Sequence, residues 1–268
     1  MIAVACLLAV ALAFHRLWTN PLPESRDALL SELDHDRVVA SRNPTSFRAQ
    51  HRLADVLVRL GQAPDAETPA RRAVALAPND ASAHATLGVV LAAENEGEQA
   101  LGELGFAVSH GDHERLTYRM LAWAYASTHQ DSAANRAYLD ALSRYSSDRA
   151  MLDGYARFLI RSHRPGAIEF AKRGVSVAPR SADAHATLAM AYFHEVDVQR
   201  ARDEMRAATQ LDSTSWRYWG DFGIYSWASG DTVGAWTALS RARAIDSTRV
   251  DLEPGWHSVW KAVSAAHR

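Results

Sequence analysis

The five residues Ala83-His-Ala-Thr-Leu87 recur as Ala184-His-Ala-Thr-Leu188, 101 positions further along the chain. A five-letter word containing His and Thr is not expected to repeat by chance in 268 residues. The separation divides into 34, 34 and 33, and the prolines of RNPTS and LAPND, Pro44 and Pro78, also stand 34 apart. Steps of 34 from Pro78 reach Asp112 and Ser146; one step of 33 reaches Pro179, and two more of 34 reach Ser213 and Ser247. A fixed period of this size is the mark of stacked supersecondary units, each burying its apolar face against the next.

Inside each unit the same side chains return. Small residues occupy one place in the first half, at Ala54, Gly88, Ala122, Ala156, Ala189 and Gly223. They occupy another in the second half, at Ala66, Ala100, Ala134, Ala167, Ala201 and Ala235. Apolar spacing of three and four around both places predicts two helices per unit. This pattern resembles the tetratricopeptide repeat, whose consensus runs W-x2-L-G-x2-Y, then A-x3-F-x2-A, then P. The resemblance implies an all-α fold: a right-handed α-solenoid of about six helix-turn-helix repeats, with an N-terminal apolar helix and a C-terminal capping helix. The repeats fall at 45–78, 79–112, 113–146, 147–179, 180–213 and 214–247.

The small residues have a mechanical purpose. Ala or Gly at both places lets two antiparallel helices approach to the lower end of the ~8–10 Å range of interaxial distances. Pro78 and Pro179 stop the second helix, because proline cannot continue its hydrogen-bond ladder. The turns inside the units read LGQAPD, ENEGEQ, STHQDS, SHRPGA, HEVDVQ and ASGDTV. The fourth carries one residue fewer, which accounts for the step of 33, and its Pro165-Gly166 suits a tight bend.

An open array needs covered ends. Residues 248–268 read as the C-terminal cap, with Trp256, Trp260 and Val263 on one helical face. Residues 19–44 read as a linker and an N-cap helix over Ser25–Ala40, with Leu29, Leu30, Leu33 and Val38 apolar. Residues 1–18 stand apart: Ile2 to Phe14 is an uncharged apolar run, followed by Trp18. Its thirteen residues would span only ~20 Å as a helix, short of the ~30 Å hydrocarbon core. Ala11-Leu12-Ala13 fits a signal-peptide cleavage site, although no Lys or Arg precedes the run. Trp18 fits the interfacial anchor of a retained segment, and a buried N-terminal helix is the third option. Membrane contact through residues 2–18 points to a membrane-anchored or periplasmic protein of a bacterial envelope.

The net charge of −2 creates no field that would recruit nucleic acid. Cys6 is the lone cysteine, which removes disulfide frameworks and multi-cysteine zinc sites. No glycine-rich phosphate loop, G-x-S-x-G elbow or H-E-x-x-H occurs. Twelve histidines remain, but His84 and His185 fill the slot where the family often has Trp, which is a packing role. His110-Gly-Asp-His113 offers two imidazoles and one carboxylate in a turn, too little for a metal site. The expectation is therefore no enzyme activity, no catalytic residue, no metal and no cofactor.

In this family the first helices of successive hairpins line a concave groove that takes a peptide or a helix of a partner protein. Carried onto this chain, the groove positions are Arg48, His51, Asp55 and Arg59, then Val89, Arg119 and Trp123. They continue through Asp153, Arg157, Arg161, Met190, Phe193, Arg217, Ile224 and Trp227. Chaperone-tail clamps of this fold use Lys and Asn at set groove positions, and this chain has neither there. Arginines toward one end and Met190, Phe193 and Trp227 toward the other suggest a ligand with an acidic and an apolar element. The leading expectation is a non-enzymatic interaction scaffold. The stretch RLWTNP through SRNPTSFRAQHRLADVLVRLG also resembles the junction in membrane-embedded O-mannosyltransferase-like glycosyltransferases. That resemblance implies the alternative of a tetratricopeptide tail from such an enzyme, or a paralogue lacking its catalytic domain.

Overall fold

Turns and caps punctuate the chain with the period read from the sequence. A computed structural model describes residues 25–252 and 254–266. The segment 1–18, expected as signal peptide or membrane anchor, lies outside the described residues, and so does the linker 19–24. Among the described residues no helix is long and apolar enough to cross a membrane, and every regular element is a helix.

After α1 (Arg26–Arg42), helices follow two by two. The first five pairs are α2 (Phe47–Arg59) with α3 (Ala63–Leu76), α4 (Ala81–Ala93) with α5 (Gly97–Ser109), α6 (Arg115–Ser127) with α7 (Asp131–Arg144), α8 (Arg149–Arg161) with α9 (Ala167–Val177), and α10 (Ala182–His194) with α11 (Val198–Leu211). The sixth is α12 (Trp216–Ala228) with α13 (Thr232–Leu252), and α14 (Pro254–Ala266) closes the series. α13 is interrupted by non-helical backbone at Asp246.

The side chains of Ser46, Asp80, Asp148, Ser181 and Ser215 begin five of the first helices. Each accepts the backbone N–H three residues on, satisfying a donor that the helix leaves orphaned. The first helices end alike. Gly61, Asn95, His129, His163, Val196 and Gly230 all take positive φ two residues past the helix, reversing the chain into the second helix. Glycine and asparagine adopt that conformation cheaply, whereas Val196 is β-branched and strained there.

The chain divides into two compact units, 1–124 and 125–268, with the division inside α6. In the first unit Ala54, Ala66, Ala100 and Ala122 are fully buried. Gly88 is tighter still: a Cβ there would lie 2.5 Å from Leu104 Cγ and 3.1 Å from its backbone nitrogen. In the second unit Ala134, Ala156, Ala189, Ala201 and Ala235 are fully buried. Gly223 stands to Leu239 as Gly88 does to Leu104, with 2.6 Å to Cγ.

The fourth pair differs from the sequence expectation, while the first helix and the C-terminus add detail to it. In α1, Leu30 and Val38 face outward, and the buried side chains are Leu33, Asp36 and Ala40. Asp36 is buried because Arg52 of α2 reaches it at 3.4 Å. In the fourth pair, the missing residue shortens the helix and not the connection. α9 has 11 residues and starts at Ala167 itself, from Gly166 at φ 101°. The equivalent helix α7 starts three residues ahead of its small residue, Ala134. Pro165 and Gly166 thus replace a first helical turn. The C-terminal expectation agrees with the packing: Val263 is fully buried against Ala235 and Leu239, with Trp256 and Trp260 beside it. Trp236 and Trp260 stack at 4.6 Å, and Gly220 leaves the space that the Trp256 ring fills.

Candidate functional site

The two identical words of the sequence build two identical locks, one in each unit. His84 Nδ1 lies 2.5 Å from Glu103 Oε2 on α5, and its Nε2 lies 3.0 Å from the carbonyl oxygen of Pro78. His185 repeats this with Glu204 at 2.7 Å and Pro179 O at 3.1 Å. Trp219 holds the same slot in the last repeat, and its Nε1–H donates to Ser213 O at 3.0 Å. These histidines therefore do more than pack. They meet a backbone carbonyl as Trp219 does and add a carboxylate on the partner helix. His110, expected as a weak ligand candidate, stacks on Phe106 at 3.8 Å. Among the described residues no three His, Cys, Asp or Glu side chains gather as a metal site.

The groove of the first unit is formed by α2, α4 and the start of α6. His51 Nε2 meets Thr86 Oγ1 at 3.2 Å and ties the first two of these helices together. Below that bridge lies an open cavity of about 400 Å³, within the ~300–1,000 Å³ usual for ligand sites. Val58, Ala85, Val89 and Leu116 form its apolar wall. Its polar wall is Asp55, Asp112 and Glu114, with His51, Ser82, Thr86 and Thr117.

Burial pushes the Asp55 carboxyl above the usual carboxylate range, and the like charges of Asp36 and Glu114 push the same way against the opposing pull of His51. Arg59 touches Asp55 at 3.3 Å, but the same guanidinium is shared with Glu32 of α1. Asp112 is only 8% exposed, and its Oδ1 accepts the Glu114 N–H at 2.8 Å, holding Glu114 at the mouth of α6.

Of the expected groove residues, the structure thus brings His51, Asp55 and Val89 into one cavity, with Arg59 on its edge. Arg48 is exposed, while Arg119 and Trp123 are half-buried on α6 and outside the cavity lining. Thr86, Asp112, Glu114, Leu116 and Thr117 were not expected there. Asp112 and Glu114 precede α6, where helical periodicity gives no signal.

In the second unit the expected residues are largely engaged by their own neighbours. Arg157 Nε donates to Thr187 Oγ1 at 3.2 Å, and Arg161 Nη2 donates to the carbonyl of Ala126 at 2.5 Å. Asp153 is not a groove residue. It is 6% exposed, takes Arg149 at 2.6 Å, and turns its Oδ1 toward the second helix at Gly174, where the absent Cβ leaves room. Burial raises its carboxyl above the usual range despite Arg149. Phe193 stacks on Tyr225 at 4.4 Å, whereas Met190 and Ile224 are half-buried. Trp227 is 37% exposed and Arg217 is exposed.

No protein-family model and no curated protein matches the sequence. The fold itself is that of tetratricopeptide-repeat α-solenoids. It superposes on a chain of the APC/C hetero-tetramer Cut9–Hcn1 with TM-score 0.70 and 15% identity, over 94% of this chain and 51% of that one. A tetratricopeptide repeat protein of Parabacteroides merdae matches with TM-score 0.65 and 13% identity, over 89% and 93% of the two chains. PilF of Pseudomonas aeruginosa matches with TM-score 0.64 and 17% identity, over 84% and 99%. The chain spans about half the length of the first of these.

Proposed function

We propose that this chain is a non-enzymatic scaffold that holds a partner protein by an extended segment laid in the groove of the first unit. One observation carries the reading: the open cavity of about 400 Å³ between α2, α4 and α6, lined by both apolar and polar side chains. Such a lining suits side-chain recognition. The fold neighbour in the Cut9–Hcn1 hetero-tetramer sits in an assembly with another chain, in keeping with a scaffold. The apolar run Ile2–Phe14 supports attachment to, or export across, a bacterial membrane. Nothing in the described helices favours the glycosyltransferase-tail alternative. An acidic ligand would rest on Arg119, Arg157 and Arg161, and the last two already donate within their own unit.

The test is a pull-down from detergent-solubilised native membranes with the full chain as bait, beside a Thr86→Trp bait that plugs the cavity. Circular dichroism checks that both are folded. Wild type retains proteins that the plugged bait loses. Identical captured sets from both baits would overturn the groove reading.

A further inference from the structure

Three carboxylates line the cavity of the first unit, and no Lys or Arg does. We infer that this cavity selects a lysine or arginine side chain of the partner segment, with an aliphatic neighbour resting on the Val58–Val89 wall. The inference rests on the scaffold reading and specifies what its groove accepts.

Charge and space argue together. Asp55 is half-buried, the like charges of Asp36 and Glu114 add to the effect of burial in disfavouring its ionised form, and the Arg59 guanidinium that reaches it is shared with Glu32. Removing charge from water is costly unless a partner is supplied. A bound cation would supply it, and the acidic lining raises the local concentration of cationic ligands. The same carboxylates repel phosphate, so nucleic acid does not fit here. They are also too dispersed to close on a metal ion, since no three such ligands converge among the described residues. Carboxylates set among apolar side chains suit a side chain several bonds long, whose stem lies on apolar surface while its head meets oxygen. Leu116 and Ala85 offer that surface. Ser82, exposed at the rim, and Thr86 add hydroxyl oxygens beside the carboxylates.

A random dodecapeptide display library, panned against the full chain, tests this. The expected result is enriched peptides with Lys or Arg at one fixed position beside an aliphatic residue. Replacing that Lys by norleucine, or that Arg by citrulline, should weaken binding about tenfold or more, the size expected for a desolvated charge-assisted hydrogen bond. The paired change Asp55→Asn with Glu114→Gln should do the same. Ser82→Arg, an exposed position that needs no core adjustment, should block the site with a cation of its own. Peptides that bind without a basic position, or that ignore these variants while the chain stays folded, overturn the inference and leave the scaffold reading standing. If no peptide is enriched, both readings fall.

Discussion

Gly88→Ala and Gly102→Ala lie one helix apart in the same hairpin, and the structure assigns them opposite signs. Alanine is the better helix former by roughly 0.8–1 kcal/mol. Gly102 is exposed on α5 with nothing within 4 Å of an added Cβ. Its replacement should therefore return that whole gain, about 1 kcal/mol. Gly88 sits on α4, where an added Cβ would lie 2.5 and 2.8 Å from two Leu104 side-chain carbons and 3.1 Å from that residue's backbone nitrogen. Leu104 is fully buried, so its side chain has no open direction to take. Overpacking of this kind costs ~1–3 kcal/mol, and with two contacts below 3.0 Å the upper half applies. Net destabilisation of about 1–2 kcal/mol follows, enough to lower Tm by a few degrees in a chain of this size. Urea titration followed by circular dichroism, with the two variants beside wild type, measures both signs. A double variant adding Leu104→Ala should lose less than the sum of its parts, because the clash partner is gone. If Gly88→Ala is stabilising by the same amount as Gly102→Ala, the close approach of α4 to α5 is not what fixes this hairpin.

Val196 has φ 63° and is 80% exposed, so Val196→Asn relieves a strained turn without cost to the core. The melting temperature should rise by an amount equivalent to roughly 1 kcal/mol. Asp80 caps α4 through the Ala83 N–H at 2.9 Å, and hydrogen bonds from the Ser82 hydroxyl and that amide hold its carboxyl below the usual range. A depressed folded-state value stabilises the fold above the unfolded one and is lost on acidification. Asp80→Ala should therefore cost about 1 kcal/mol at neutral pH and progressively less as urea melts are repeated at lower pH; a constant cost would contradict this. His185→Trp should keep the bond to Pro179 O that Trp219 makes to Ser213 O, whereas His185→Leu should lose about 1 kcal/mol or more in thermal melts. Equal stability of the two would remove the hydrogen bond from the account.

The helices were legible because their signals are periodic. Alanines at a fixed interval, Ser or Asp at the helix starts and proline after the second helices all act locally, and the helices form as those signals require. Direction around a helix was less legible. Asp153 holds a groove position by register, yet the glycine at Gly174 makes an inward pocket that draws the carboxylate off the surface. In α1 the apolar Leu30 and Val38 stay exposed, while Asp36, reached by Arg52, is buried. The acidic wall escaped because Asp112 and Glu114 belong to the connection before α6, whose side chains no periodicity aims. Register alone nominated His51, Asp55 and Val89. The charge that gives their cavity its preference had to come from tertiary placement.

The two histidine locks and the acidic cavity draw on one economy of the repeat. Each hairpin offers a slot at the same place on its first helix, and this chain fills successive slots with Gln50, His84, Tyr118, Leu152, His185 and Trp219. Gln50, His84, His185 and Trp219 each meet a backbone carbonyl of the segment before them, whereas Leu152 is simply buried. Where His fills it, the ring has a second nitrogen to spend, and a glutamate on the partner helix meets it, joining both helices of the hairpin to the chain before them. That stiffens α4 from its buried side. The opposite side of α4 is then left to carry Ala85, Thr86 and Val89 toward the cavity. A helix held from behind in this way keeps its recognition face in register, and the His51–Thr86 bond adds a second tie on the groove side. Among the groove carboxylates, Asp112 serves the turn before α6 and Asp55 meets Arg59, while Glu114 stands exposed at the mouth for a partner.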